Sequence, residues 1–282
     1  MFDKSPNNLP VPSFLRLVTG IECCVVFTAA FLLFFLPDFA ETVWAWSIPP
    51  FNARFVGAIY FAAYIPLIIF WLHPRWMPGR LVLWLIFVFT SLIMIAMLIH
   101  WDAFLWERPA TYIVFWPLYI FLPVNSAIFL YQSRGVEISN ATDISRSWQI
   151  TLKAFALLTG AYGLALLFIP ELLTRFWPWT VDAFHARIYA SAFVTPAVGA
   201  WIIASRRSAA SEILIIGLNL LAGGILPILG ILMANTSVPP ERQIDFNNPG
   251  TWVFLLIFLM TGIMGMMQIM LAFQNSNKLE NK

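Results

Sequence analysis

Charge is scarce in this sequence. Only 11% of its 282 residues are Asp, Glu, Lys or Arg, against roughly 25% in soluble domains. That scarcity excludes an ordinary water-facing surface over most of the chain. The formal net charge is +2, and no run of Lys or Arg follows one helix face, which argues against a nucleic-acid partner. Cysteine is nearly absent as well. Cys23 and Cys24 are adjacent inside an apolar run, so neither a disulfide framework nor a CxxC metal or redox site is available. Both read as small packing residues.

Histidine is limited to His73, His100 and His185. None falls in the middle of an apolar run, which excludes a histidine-ligated haem within a bilayer. His100 with Asp102 and Glu107 could offer imidazole and carboxylate ligands. No metal-ligand spacing recurs on one helix face, so interfacial capping is the plainer reading and no metal is expected. The P-loop, G-x-S-x-G, H-E-x-x-H and Rossmann fingerprints are all missing. The expectation is a protein without cofactor and without catalysis.

Apolar residues fill what remains, at 60% of the chain. A spanning helix needs about 20 consecutive apolar residues. Eight segments qualify: Phe14–Leu36, Arg54–Leu72, Leu81–His100, Thr111–Tyr131, Leu152–Ile169, Arg187–Ser205, Ile213–Ala234 and Trp252–Phe273. The first apolar stretch, from Leu17 to Leu36, exceeds the roughly 7–15 residues of a signal-peptide core. It also lacks a small-x-small cleavage site behind it, so it reads as a retained span. Pro74, Pro78, Pro239, Pro240 and Pro249 fall in connections. Pro117, Pro123, Pro196 and Pro227 fall within spans and should kink them.

The chain also repeats itself. Leu36-Pro37-Asp38 and Trp44-Ala45-Trp46-Ser47-Ile48-Pro49-Pro50-Phe51-Asn52-Ala53-Arg54 recur as Ile169-Pro170-Glu171 and Trp177-Pro178-Trp179-Thr180-Val181-Asp182-Ala183-Phe184-His185-Ala186-Arg187, at a constant offset of 133 positions. More weakly, Glu107-Arg108 echoes Glu241-Arg242, and Pro109-Ala110-Thr111-Tyr112 echoes Pro249-Gly250-Thr251-Trp252. The fold class expected is therefore an all-α integral membrane protein of about eight transmembrane helices, built as two parallel four-helix repeats. Residues 1–13 form an N-terminal segment, 14–131 and 152–273 the two repeats, 132–151 a linker and 274–282 a tail.

An even number of spans places both termini on one side. That side carries eleven of the 16 Lys and Arg residues. Arg54, Arg108, Arg175, Arg187 and Arg242 lie on the other. The positive-inside rule then puts both termini in the cytoplasm.

Trp44, Trp46, Trp177 and Trp179 should fall at the outer interface, where an apolar ring with one polar N–H is at home. Arg54 and Arg187 should begin the next spans and snorkel to lipid phosphates. Asp38–Arg54 and Glu171–Arg187 are candidate ion pairs, each sixteen residues apart. The simple reading is that each loop folds back on the membrane and its pair locks it. The functional reading is two equivalent headgroup or anion sites. The Trp-x-Trp-x-x-x-x-Phe-x-Ala-Arg pattern resembles the tryptophan–proline–tryptophan…alanine–arginine motif of uncharacterised bacterial multi-pass membrane proteins. Only these two blocks of about a dozen residues carry the resemblance, and Ala45 replaces the proline present at Pro178. The resemblance implies a bacterial inner (plasma) membrane and supplies no chemistry.

Glu22 is the only acid or base well inside a span. With a helix start near Phe14 it lies roughly 12 Å deep at 1.5 Å per residue. An ionised side chain there costs several kcal/mol unless it is paired, hydrated or protonated. Asn125, Asn219 and Gln268 are expected in the same cytoplasmic third of the bilayer, on stripes of small and polar residues that suit helix packing. Glu22 is then either a protonated hydrogen-bonding glue or a proton- or cation-linked site. The 133 offset carries Glu22 onto Phe155, so such a site would be asymmetric. Two functions follow. One is a small transporter or ligand-binding permease using an inter-repeat cleft, with a small solute, ion or lipid headgroup as its ligand. The other is a non-catalytic accessory or structural subunit, with membrane protein partners or further copies of itself around it. The lipid bilayer is the partner common to both.

Overall fold

The structure, a computed structural model, describes residues 2, 8–136, 141–142 and 144–280. Lys4 and Lys282, which entered the charge count, lie outside the described residues. Among the described residues the chain forms ten α-helices. They are α1 (Ser13–Phe35), α2 (Pro37–Val43), α3 (Pro50–Leu72), α4 (Trp76–Ile99), α5 (Trp116–Gln132), α6 (Arg146–Phe168), α7 (Pro170–Leu173), α8 (Ala183–Ser205), α9 (Ala210–Ser237) and α10 (Pro249–Glu280). A π-helical turn, Ala110–Phe115, runs directly into α5. Eight of these helices are long and apolar enough to cross a membrane, and the protein is an all-α multi-pass membrane protein. The short α2 and α7 lie between spans.

Proline sets the breaks. Pro37 and Pro170 stand at the first positions of α2 and α7. A residue before proline is disfavoured in the helical region. Leu36 (φ −125°, ψ 52°) and Ile169 (φ −132°, ψ 55°) accordingly leave it, and α1 and α6 end there. The next spans begin earlier than hydropathy alone suggests. Pro50 opens α3, since proline's fixed φ suits a first helical turn. Asp182 caps α8 by accepting the His185 backbone N–H. Arg54 and Arg187 therefore sit about a turn inside their helices rather than at the starts.

The connections interleave as an even-span bundle requires. On the face where α1 begins, Val11 N–H donates to Pro74 O and Trp76 N–H to Leu9 O. On the same face Ala141–Thr142 pairs antiparallel with Ser208–Ala209. On the opposite face Trp46 bridges to Phe104, and Leu105 N–H reaches Ala45 O.

Helix packing follows the offset of the sequence blocks. The α1 helix lies along α3 as α6 lies along α8, and α4 lies along α5 as α9 lies along α10. The main contacts between the two halves are also matched: α3 packs on α9, and α8 on α4. The halves thus interlock, and each central helix leans chiefly on helices other than the span that follows it. The α3 and α8 helices are the most buried spans, and α6 and α10 the least. Side chains such as Leu158, Phe168, Trp252 and Met260 project outward from these last two. After the π turn the correspondence tightens by one position, so Phe115 and Tyr119 match Phe254 and Phe258 at an offset of 139. A π turn adds one residue to a helix, which accounts for the change from the offset of 140 at Thr111 and Thr251.

Small residues set the closest approaches. A methyl added at Gly224 of α9 would fall on the Gly262 backbone, and one at Gly265 on the Leu221 backbone. This seam lets α9 and α10 meet backbone to backbone, the packing that replaces a hydrophobic driving force in lipid. Overpacking a tight seam typically costs about 1–3 kcal/mol. Gly224→Val is expected to lower the thermal unfolding midpoint in detergent by several degrees. Gly135→Ala, where an added methyl meets nothing within 4 Å, should leave it unchanged.

Candidate functional site

The repeated motif forms a buried aromatic hub on the face opposite the start of α1. Trp44, Trp46, Trp177 and Trp179 are all less than 10% exposed. The four tryptophans expected at the outer interface thus turn their rings into the protein core. Trp46 is ringed edge-on by Trp44, Phe104, Phe115 and Phe184. Trp179 packs on Phe51, Phe55, Trp177 and Phe254. A buried indole N–H needs an acceptor, and two of the four find it across the halves. Trp46 Nε1 donates to His185 Nε2 at 3.3 Å, and Trp179 Nε1 donates to Asn52 Oδ1 at 2.7 Å. Asn52 and His185 are themselves 133 positions apart, so the two bonds are reciprocal. Tyr189 also donates to Asn52 Oδ1, at 2.8 Å.

This geometry fixes the proton on His185. Its Nε2 accepts from Trp46, so Nδ1 carries the hydrogen and donates to Asp182 Oδ2 at 2.7 Å. Burial pushes the Asp182 carboxyl up. The bonds from the His185 ring and from the His185 and Phe184 backbone N–H groups outweigh it and hold the pKa at about 2. An Asp–His pair can orient a general base, but here the indole occupies the nitrogen that a base would use. His100 lies nearby and accepts from Arg187 Nη1 at 2.6 Å. Burial, then the Arg187 charge, pushes the His100 pKa down. Asp182, not Asp102, joins the two histidines electrostatically.

The candidate ion pairs do not form. Among the described residues the arginine–carboxylate ion pair is Arg206–Glu212, and the His185–Asp182 contact is the hydrogen bond described above. Arg54 Nη1 instead donates to Ser237 Oγ at 2.7 Å, and Arg187 Nε to Leu167 O at 3.0 Å. Each guanidinium thus binds near the end of an adjacent span, α9 or α6, where carbonyls lack intrahelical partners. Asp38 and Glu171 stay with their own short helices, in the first turns of α2 and α7, where a negative charge suits the helix dipole.

Below the hub lies a cavity of about 110 Å³ lined by all eight spans. Glu22 lines it, 5% exposed, and its carboxyl has no hydrogen-bond or ion-pair partner among the described residues. The walls differ in character. Beside Glu22 stand Tyr60 and Tyr119, joined hydroxyl to hydroxyl at 2.7 Å. Phe155, Phe193 and Phe258 occupy the corresponding positions of the second half. Phe193 and Phe258 touch ring to ring, with centroids 6.0 Å apart. One wall is thus acidic and hydroxylated, and its counterpart is aromatic hydrocarbon.

Proline shapes this cavity too. A proline within a helix leaves the carbonyl four residues earlier without its N–H partner. Pro66, Pro123, Pro196 and Pro227 lie inside α3, α5, α8 and α9. The carbonyls they free belong to Ala62, Tyr119, Ala192 and Gly223, all four of which line the cavity. Asn219 Nδ2 satisfies Ala62 O at 2.9 Å. The Thr195 hydroxyl, on the same lining, is buried without a partner.

Of the four intramembrane polar candidates, the cavity brings together Glu22 and Asn219. Gln268 is buried beside Gly217 in the α9–α10 seam, with both amide atoms unpartnered. Asn125 is buried outside the cavity lining. Sequence reasoning passed over Asn52, Tyr60 and Tyr119, because a lone amide or tyrosine on an apolar helix carries no signal until its partner across the bundle is known. It also passed over Glu212, a fully buried acid at the start of α9 that accepts from Arg206 at 2.7 Å and from the Ala209 N–H at 3.1 Å.

A carboxylate whose folded pKa lies below its unfolded value, about 3.9, contributes stability above that value and loses it as pH falls. Asp182 should therefore contribute stability that disappears between about pH 4 and pH 2. Thermal unfolding of the wild type is expected to steepen its pH dependence across that window, and Asp182→Asn should flatten it. Comparison with known proteins found no family model, no curated protein and no solved structure that matches this chain.

Proposed function

We propose that this protein is a small transporter or permease whose pathway runs through the central cavity between the two halves. One observation carries the reading. An acid with no partner among the described residues faces the central cavity, and every span contributes to the lining. A structural subunit gains nothing from leaving a carboxyl unsatisfied there, since an unpaired acid in hydrocarbon costs several kcal/mol. Prolines inside four of the lining helices support it, because each removes one backbone hydrogen bond from a helix that borders the cavity. The indole held on His185 Nε2 argues against hydrolytic chemistry at the one Asp–His pair. The proposed setting is a bacterial inner membrane with both termini cytoplasmic, supported by the sequence resemblance and by the bias of basic residues toward the terminal side.

A pathway must meet water on each side in turn, and this can be tested without knowing the solute. Ser191 lines the cavity and is fully buried. Ser191→Cys would be made in a Cys23→Ala, Cys24→Ala background and placed in right-side-out and inside-out vesicles. A membrane-impermeant methanethiosulfonate should label it from both sides, slowly and incompletely. Absence of labelling from either side in native membranes would leave a sealed, structural cavity and remove the transport reading.

A further inference from the structure

The two walls of the cavity state what kind of molecule fits it. On the first-half wall the polar groups are the Glu22 carboxyl, the Tyr60–Tyr119 hydroxyl pair and the Thr90 hydroxyl, which donates to Ile86 O within its own helix. The unpartnered Thr195 hydroxyl lies on the same lining, as do Tyr119, Ala192 and Gly223, the residues whose carbonyls lose an N–H partner to proline. The carboxylate and the carbonyls only accept hydrogen bonds, and no Lys, Arg or His side chain lines the cavity. The aromatic faces carry the negative side of the ring quadrupole, which also favours a cation. An anion would find no cationic partner there. A metal ion is the weaker fit, because hard cations take about six or more oxygen ligands at close range and half of this lining is hydrocarbon.

The opposite wall continues outward. Phe155, Phe193 and Phe258 also line a groove of about 730 Å³ between α6 and α10, the two least buried spans. The groove is bordered mostly by apolar side chains such as Leu158, Ile257 and Met264. Cavity and groove share these rings, so the phenylalanine wall borders the Glu22 cavity on one side and the lipid-facing groove on the other.

We propose that the cavity binds a small amphiphilic ammonium ion, with its head at Glu22 and its apolar tail along the phenylalanine wall toward the α6–α10 groove. A primary ammonium has three N–H donors, and the site offers a carboxylate and freed carbonyls to receive them. The tail then lies mainly against aromatic and aliphatic side chains. This rests on the transport reading for its biological meaning but not for its chemistry.

The test uses purified full-length protein in lipid nanodiscs, with n-propyl-, n-butyl- and n-hexylammonium as probes and the matched n-alkanols as controls. Binding is read by calorimetry. Wild type should bind the ammonium ions saturably, with affinity rising roughly threefold to fourfold per methylene, and should bind the alkanols at least about tenfold more weakly. Glu22→Gln should lose on the order of tenfold or more in ammonium affinity, and Ala192→Leu, which fills the cavity and keeps the acid, should lose it as well. Equal binding of ammonium and alkanol by wild type would overturn the proposal. So would ammonium affinity unchanged in both variants, which places the probe in the lipid or elsewhere on the protein. Specific ammonium binding by a protein that fails the Ser191→Cys test keeps the site and discards transport. Labelling from both sides with no ammonium binding keeps transport and discards this ligand.

Discussion

In hydrocarbon a polar group must find its partner inside the protein, because no water is there to replace one. Much of this structure can be understood from that constraint. The indoles of Trp46 and Trp179 satisfy it by reaching across the halves to His185 and Asn52. Asn219 satisfies it for the carbonyl that Pro66 strands on α3. Arg187 satisfies it at the end of an adjacent helix, and Arg54 does so through Nη1 while its Nε stays unpartnered. Against that background the exceptions carry the information. Among the described residues several polar groups have no partner, Gln268 in the α9–α10 seam included, but Glu22 and Thr195 share one cavity lined by every span.

Much of the architecture was legible because it depends on patterns along the chain. Eight long apolar runs became eight spans, and Leu36-Pro37 and Ile169-Pro170 marked the ends of α1 and α6. The tryptophans were recognised as a repeated feature, but the burial of their rings was not legible. Indole chemistry suits both a membrane interface and a buried hub, and the choice depends on Phe115, Phe184 and Phe254 arriving from distant segments. The sixteen-residue spacing of Asp38 and Arg54 suggested a pair, yet Arg54 had Ser237 of α9 within reach, a neighbour no local spacing reveals. Glu22 stood out in the sequence as the lone intramembrane acid, whereas its cavity required prolines on four separate helices.

The two halves share a frame and differ in what they do with it. Both provide a Trp donor and a polar acceptor at matched positions, and in both an arginine side chain reaches an adjacent helix. Away from the hub they diverge. Glu22, Tyr60 and Tyr119 face the counterparts Phe155, Phe193 and Phe258, so a nearly symmetric scaffold encloses a polarised space. The hub keeps the halves in register and leaves the cavity walls free to vary.

The reciprocal clasp also bears on how the chain is made. Trp46 and its acceptor His185 are separated by 139 residues. At the roughly 5–20 residues per second of protein synthesis, Trp46 leaves the ribosome on the order of ten seconds before its acceptor exists. Throughout that interval α3 is in the membrane without α9, its main neighbour from the other half. The nascent first half therefore presents bare indole and amide groups to its surroundings. Until the second half arrives, water at that face or the insertion machinery has to supply the partners that the finished protein later provides for itself.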